Sequence, residues 1–252
     1  MKVLLSPAKS LDFESSVSPK QTSSIQFPQK ADQINAVLRK KSPKELRELM
    51  GISENLAVLN YGRNQEWSTE PNSGQARPAI FAFNGEVYRG LDIATLSESK
   101  HELLQNTLRI LSGQYGLLRP LDLIMPYRLE MGTKLPVGKY KNLYEFWRES
   151  VTGILLGELK ENEVVVNLAS NEYAKAVDFK AMNNPVITPV FKELKNGAYK
   201  VLAVYAKHAR GLMARYILDQ QVQTVEGLKG FDSGGYRFAD DLSSGHELIF
   251  IR

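Results

Sequence analysis

The sequence contains no cysteine and only three histidines among its 252 residues. Without cysteine, disulfide bonds, thiolate metal sites and a cysteine nucleophile are excluded. His101, His208 and His246 form neither an HxxxH nor an HExxH pattern, which argues against a histidine-based metal site. No serine lies in a GxSxG context, so the sequence does not support an acyl-transfer triad. We therefore expect neither a metal nor a cofactor.

Long apolar runs are also missing. The run near the N-terminus, Val3-Leu4-Leu5, is too short for a signal peptide, and no stretch approaches the roughly 20 residues that a membrane span needs. We predict a cytoplasmic protein with no membrane contact and no implied protein partner. The length suits one domain over residues 1–252. Thirty-two Lys and Arg against 28 Asp and Glu give a net charge of +4, which permits an anionic partner without requiring one.

Strand and helix signals interleave along the chain. Strands are predicted at residues 2–5, 79–83, 163–168, 186–194, 200–205 and 247–251. Helices are predicted over 98–111, over 206–220 and after caps at Ser42, Ser53 and Asn142. Asn196-Gly197 predicts a β-hairpin, and residues 14–29 and 68–78 predict loops. There is no GxGxxG, no GxxxxGK[ST] and no regular βαβ period. We predict an α/β fold, a mixed sheet with surrounding helices in an unusual topology.

Residues 108–132, LRILSGQYGLLRPLDLIMPYRLEMG, carry the densest signal. Gly113 and Gly116, three residues apart between apolar runs, permit a tight hairpin because glycine adopts positive φ at little cost. Such a hairpin presents backbone N–H groups that suit a phosphate. We predict a helix-hairpin-helix element of the kind found in DNA-binding proteins. The alternative is a glycine-capped helix followed by an ordinary loop and strand.

Two further segments suit anions. In the predicted helix after Tyr205, Lys207, Arg210 and Arg215 surround the small residues Gly211 and Ala214; the alternative is a solvated basic face. The predicted strand at 163–168 delivers two candidate anion-binding residues, Asn167 and Ser170, to a helix N-terminus. There the alternative is simple helix capping.

Six segments together resemble the successive motifs of the YaaA family. These segments are LLSPAKSLDF at 4–13, FNGEVYRGL at 83–91, LSGQYGLLRPLDLIMPYRLEMG at 111–132, VVNLASNEYAKAV at 165–177, YAKHARGLMARYI at 205–217 and GFDSGGYRF at 230–238. The resemblance spans nearly the whole chain. It implies a role in bacterial peroxide stress, in which the protein limits free intracellular iron and oxidative DNA damage. It also implies DNA binding through a helix-hairpin-helix element and a basic cleft.

We therefore predict a protein that binds double-stranded DNA through this cleft, largely without sequence preference. We expect Lys9, Arg119, Arg128, Lys207, Arg210 and Arg215 to converge on one concave surface, since each lies beside a Pro, a Gly or a predicted strand end. The full predicted DNA-binding set is Lys9, Gly113, Gln114, Tyr115, Gly116, Arg119, Arg128, Lys207, Arg210 and Arg215.

Two alternatives stay open. Some polar residues of these motifs contribute nothing obvious to holding an anion, and they are the candidate catalytic residues of an enzyme acting on a nucleobase or nucleotide: Asp12, Asp122, Tyr127 and Glu130. Glu172 also lies beside a turn, and the sequence alone does not bring these carboxylates together. Direct iron binding by carboxylates is the third class, and metal analysis of the purified protein discriminates it.

Overall fold

The computed structural model describes residues 1–17, 21–71 and 74–252. Residues 18–20 and 72–73, within the two predicted loops, lie outside this part of the chain. The described residues form ten α-helices: α1 (Pro28–Arg39), α2 (Pro43–Met50), α3 (Glu54–Glu66), α4 (Ala79–Ala82), α5 (Glu86–Leu91), α6 (His101–Thr107), α7 (Leu143–Glu158), α8 (Asn171–Ala174), α9 (Ala203–Asp219) and α10 (Val225–Lys229).

The strands number twelve within the described residues. They are β1 (Lys2–Leu5), β2 (Ser10–Leu11), β3 (Arg77–Pro78), β4 (Phe83–Asn84), β5 (Leu108–Ser112), β6 (Gly116–Leu118), β7 (Leu123–Ile124), β8 (Val165–Asn167), β9 (Val186–Lys195), β10 (Ala198–Lys200), β11 (Arg237–Phe238) and β12 (Glu247–Ile251). Eight of them form the main sheet, in the order β11-β12-β9-β8-β1-β5-β6 with β10 paired to β9. The predicted mixed α/β fold is confirmed.

The centre of this sheet is parallel and deeply buried. β1 lies between β5 and β8, parallel to both, and every residue of these three strands is buried. Apolar runs of this kind are typical of strands covered on both faces. β6 and β11 run antiparallel to their neighbours. Because β1, β5 and β8 are parallel, their carboxyl ends meet at one edge of the sheet.

Local signals mark several boundaries correctly. The Ser42 capping box is formed, and the side chains of Ser53 and Asn142 each accept a backbone N–H at the start of α3 and α7. Asn196 and Gly197 take φ of 53° and 74° between β9 and β10. These values suit the predicted hairpin turn. The predicted helix over 206–220 is present but begins at Ala203. The predicted strand at 200–205 is therefore wrong beyond residue 200, because β10 ends at Lys200 and residues 203–205 belong to α9.

Two further predicted elements are wrong. The predicted strand at 79–83 is the single helical turn α4 followed by the short strand β4. The predicted helix over 98–111 ends at Thr107, and residues 108–112 form β5 in the middle of the sheet. Short apolar runs fit a buried helix or a buried strand equally well, and here pairing with β1 selects the strand.

The helix-hairpin-helix prediction at Gly113–Gly116 is also wrong. The two glycines lie in a β-hairpin between β5 and β6, not between helices. The Trp147 indole donates to the carbonyl oxygen of Gly113 at 2.8 Å. A Cβ on Gly116, whose φ is 73°, would lie 2.6 Å from the Trp147 ring. The positive φ predicted for a glycine is present at Gly116. The turn in which it occurs, however, is packed beneath the Trp147 ring.

A close helix crossing joins α5 to α9. A Cβ on Gly211 would overlap the carbonyl oxygen of Val87 and lie 2.7 Å from Leu91 N. A Cβ on Gly90 would overlap the His208 carbonyl oxygen and lie 3.0 Å from Leu212 N. The two glycines therefore let the helix backbones touch. This contact fixes the basic residues of α9 beside the first turn of α5.

Within the described residues, none of the helices combines the length and the apolar character that crossing a membrane requires.

Candidate functional site

A cavity of about 300 Å³ lies beyond the carboxyl ends of β1 and β8. Its walls come from five separate regions: the segment 6–10 after β1, the segment 84–88 at the start of α5, the segment 127–130, residues 170, 172 and 173 at α8, and residues 207 and 210 of α9. Crevices at the carboxyl ends of parallel strands are the usual ligand sites of open α/β sheets. We call this cavity the edge pocket.

Four of the six predicted cations line the edge pocket: Lys9, Arg128, Lys207 and Arg210. Lys9 Nζ lies 2.9 Å from Glu130 Oε2, and Arg128 Nη2 lies 3.5 Å from Glu130 Oε1. Arg128 Nε is buried without a hydrogen-bond partner within the described residues. Glu130 therefore neutralises part of the positive charge at this end of the pocket.

Lys207 and Arg210, unlike Lys9 and Arg128, have no carboxylate partner within the described residues. Neither has an ion pair or a hydrogen bond to any of residues 1–17, 21–71 and 74–252. Lys207 is exposed, whereas Arg210 is partly buried, and burial lowers the pKa of its guanidinium below the ordinary value. A guanidinium that is partly desolvated and lacks a carboxylate gains most from an anionic ligand.

Arg119 and Arg215, the other two predicted cations, lie outside the pocket and hold the fold together. Arg119 Nη2 lies 3.0 Å from Asp122 Oδ1 and also donates to the carbonyl oxygen of Ser24. Arg215 pairs with Asp219 at 2.6 Å and donates to the carbonyl oxygens of the loop after α5. The prediction that all six cations share one surface is wrong for these two.

The hairpin residues predicted to bind DNA are buried as well. Gln114 and Tyr115 are 1% and 2% exposed. Gln114 donates to the carbonyl oxygen of Ala31, and the Tyr115 hydroxyl accepts from Trp67. Gly113 and Gly116 are buried beside them. The four residues are part of the core and offer no free N–H to a phosphate at the surface.

The two predicted anion-binding residues, Asn167 and Ser170, lie in different surroundings. Ser170 lines the edge pocket, but its backbone N–H already donates to Ser6 Oγ at 2.8 Å, and its hydroxyl does not cap α8. Asn167 is not among the lining residues, and its side chain accepts from Ala169 N at 3.2 Å. Asn167 shapes the turn after β8.

The four candidate catalytic residues also separate into two groups. Tyr127 and Glu130 line the pocket. The Tyr127 hydroxyl lies 2.7 Å from Ser112 Oγ at the end of β5, and burial raises its pKa well above the ordinary value. Tyr127 is therefore a neutral hydrogen-bonding group at physiological pH.

Asp12 and Asp122 lie elsewhere. Asp12 accepts from the backbone N–H groups of Glu14 and Ser15, each at 3.0 Å, and these bonds together with the Ser15 hydroxyl lower its pKa to about 2. Asp122 is fully buried, accepts from Ser23 Oγ at 2.7 Å and pairs with Arg119. Both carboxylates hold turns, and neither lines the edge pocket.

Four titratable residues of the pocket were absent from the predicted site: Glu86, Tyr88, Glu172 and Tyr173. The Tyr88 hydroxyl donates to the carbonyl oxygen of Ser6 at 3.0 Å, and Glu172 Oε1 accepts from Gly132 N at 2.8 Å. Burial raises the pKa of both tyrosines. The signal was present in the sequence, since these residues belong to the motifs FNGEVYRGL and NLASNEY.

Together, the sheet and the edge pocket define an α/β protein with a ligand-sized crevice in which arginine, lysine, carboxylate and tyrosine side chains meet. The family described as "Peroxide stress protein YaaA" matches residues 1–242. The chain belongs to this family, and the resemblance found in the sequence is confirmed. Membership supports a role in peroxide stress.

Curated relatives agree over the full length. A UPF0246 protein of Flavobacterium psychrophilum is 53% identical over 252 residues, covering 100% of both chains. A second, from Flavobacterium johnsoniae, is 52% identical with the same coverage. A third, from Idiomarina loihiensis, is 51% identical and covers 100% of this chain and 98% of its own.

Proposed function

We propose that this protein acts in peroxide stress by binding DNA at the edge pocket and so limits oxidative DNA damage. The observation that carries the proposal is the convergence of Lys9, Arg128, Lys207 and Arg210 on one pocket from distant parts of the chain. Lys207 and Arg210 have no carboxylate partner within the described residues. The contacts predicted for the hairpin at 113–116 are not part of this proposal.

Salt dependence tests the proposal directly. Each phosphate contact releases counterions, so the logarithm of the binding constant falls linearly with the logarithm of the salt concentration, by about 0.9 per contact. We expect Lys207→Ala to weaken duplex binding and to reduce this slope by about one unit. Fluorescence anisotropy with a labelled duplex, from low to physiological salt, measures both quantities.

Lys44→Ala is the matched control. Lys44 is an exposed lysine of α2, far along the chain from the pocket residues, and its removal should leave the slope unchanged. Equal effects of the two substitutions would show that binding follows net charge rather than the edge pocket. Absence of duplex binding at low salt would overturn the proposal.

A second candidate function is an enzyme acting on a nucleobase or nucleotide in the same pocket. The observation in its favour is that Tyr127 and Glu130 lie among the pocket residues together with Glu172 and Tyr173. Carboxyl groups and the tyrosine hydroxyl are among the side-chain groups that act as general acids and bases. Incubation of the protein with DNA and with free nucleotides, followed by mass spectrometry, tests it. Turnover that Glu130→Gln abolishes would favour the enzyme.

We also propose that the protein limits free intracellular iron as part of its role in peroxide stress. The described residues contain no group of three His, Cys, Asp or Glu side chains placed to hold a metal ion. Metal analysis of the protein purified from iron-replete cells tests whether it carries iron itself. Iron at one atom per chain would replace DNA binding as the leading function.

A further inference from the structure

We propose that the edge pocket takes one nucleotide unit, with its phosphate at Lys207 and Arg210 and with N–H or O–H donors of its base or sugar at Glu130 and Glu172. This inference rests on the proposed nucleic-acid function. It specifies that the pocket holds one nucleotide of the nucleic acid. It is carried by the volume of the pocket and by the separation of its charges into two kinds.

The volume sets the size of the ligand. Small-molecule sites span roughly 300 to 1,000 Å³, and the edge pocket, at about 300 Å³, lies at the lower end. The grooves of duplex DNA alone are about 6 and 12 Å wide, so a double helix cannot enter. A duplex resting across the mouth would leave the inner residues of the pocket unused. A single nucleotide is the part of a nucleic acid that this space accommodates.

The phosphate end lies on α9. Lys207 and Arg210 are three residues apart and therefore share one face of the helix. The guanidinium fork of Arg210 can donate two parallel hydrogen bonds to one phosphate, and the ammonium of Lys207 adds a second charge from the solvent side. The crossing of Gly211 against Gly90 fixes the height of this face above α5.

The other kind of charge is unsuited to a phosphate. Glu130 and Glu172 are carboxylates with no hydrogen to donate, and an ionised carboxylate offers about four acceptor sites. Glu172 uses one of these for Gly132 N, and Glu130 contacts Lys9 and Arg128. The remaining capacity suits an exocyclic amino group, a ring N–H or a sugar hydroxyl. Both carboxylates would weaken a site that bound only phosphate, because like charges repel.

The pocket also has an apolar and aromatic wall. Its members are Pro7, Ala8, Val87, Tyr88, Leu129 and Tyr173. Aromatic and apolar surfaces of this kind pack against a nucleobase, whose faces are flat and weakly hydrated. Phosphate binding accounts only for the four cations. A bound base and sugar account for the wall and the carboxylates as well.

The same nucleotide chemistry has two sources. One is a free nucleoside monophosphate, and the other is a nucleotide turned out of a DNA strand, which enzymes acting on bases commonly capture. Turning a base out of a paired duplex costs free energy, and the cost is smaller at an unpaired position. Capture from DNA therefore predicts tighter binding to a duplex that carries one unpaired nucleotide.

The experiment compares three probes by anisotropy and calorimetry: a fully paired duplex, the same duplex with one bulged nucleotide, and a mixture of free 2′-deoxynucleoside 5′-monophosphates with inorganic phosphate as control. We expect the bulged duplex to bind at least 10-fold more tightly than the paired one, or the free nucleotides to bind where phosphate alone does not. Glu172→Gln should remove the advantage of the bulge, because the acceptor becomes a mixed donor and acceptor. Arg210→Gln, the second variant, should weaken the bulged duplex more than Lys207→Ala does.

The outcomes separate the two proposals. Equal binding of both duplexes, without free-nucleotide binding, overturns the single-nucleotide inference and leaves DNA binding standing. Binding of free nucleotides without any duplex supports the inference and overturns DNA binding as the function. An advantage for the bulged duplex that persists in both folded variants places the unpaired nucleotide elsewhere and overturns the inference. Thermal unfolding of each variant establishes that it is folded.

Discussion

Gly211 supports the architecture of the edge pocket, and Gly211→Ala tests that role. The new Cβ would overlap the Val87 carbonyl oxygen and lie 2.7 Å from Leu91 N and 2.9 Å from Gly90 C. These neighbours are backbone atoms of α5, so no side chain can rotate away. The methyl group can be accommodated only if α5 moves away from α9.

The expected cost follows from two opposing terms. Overpacking in a dense interior typically costs about 1 to 3 kcal/mol, and a rigid backbone neighbour favours the upper part of that range. Replacement of glycine by alanine inside a helix returns about 0.5 to 1 kcal/mol. The free energy of unfolding should therefore fall by about 2 kcal/mol. For a chain of this length that lowers the Tm by about 4 to 8 °C.

Gly153→Ala is the matched control for this measurement. Gly153 lies within α7, and a Cβ there would meet nothing within 4 Å. The control should raise stability by about 0.5 to 1 kcal/mol. Urea and thermal unfolding followed by circular dichroism give both values, and duplex anisotropy should show weaker binding for Gly211→Ala alone. If Gly211→Ala were as stable as Gly153→Ala, the helix contact would not be as tight as described.

Three further predictions concern residues outside the pocket. Gly116→Ala places a methyl group 2.6 Å from Trp147 at a φ of 73°, so urea unfolding should show a loss of about 1 to 3 kcal/mol; an unchanged midpoint would contradict the buried hairpin. Asp122→Asn breaks a charge-assisted contact to Arg119 and should cost about 1 to 3 kcal/mol by the same assay, and retained stability would show that the pair is dispensable. The pKa of Asp12 is lowered to about 2, so its stabilising contribution is present above pH 4 and lost as the pH falls through 2; between pH 7 and pH 2, the wild type should lose more stability than Asp12→Asn, and parallel losses would contradict the turn.

Much of the fold was predictable from short-range signals. The Ser42 capping box, the Asn196-Gly197 turn and the β-branched strand before Asn167 depend on neighbours within a few residues, and each is present. The wrong secondary-structure predictions fall in short apolar segments whose pattern fits both a helix and a strand. Residues 108–111 fit a helix as an extension of α6, and only pairing with β1 makes them a strand.

The predicted site was correct in part for a similar reason. Lys9, Arg128, Lys207 and Arg210 share the edge pocket, whereas Arg119 and Arg215 are paired with aspartates three and four residues away. Those local pairs were open to prediction from the spacing of three and four residues. The position of Tyr88 or Glu172 in the pocket depends on contacts across the whole chain.

The sequence by itself determined the family, the mixed α/β class, the helix caps and the residue types available for chemistry, because these depend on local pattern and on motif identity. The tertiary structure alone decided which charges are free. It buried the glycine hairpin under Trp147 and left Lys207 and Arg210 unpaired within the described residues beside a small pocket. The physical reason is that charge pairing and burial are set by distances of a few ångströms between residues far apart in sequence. Spacing along the chain carries no information about those distances.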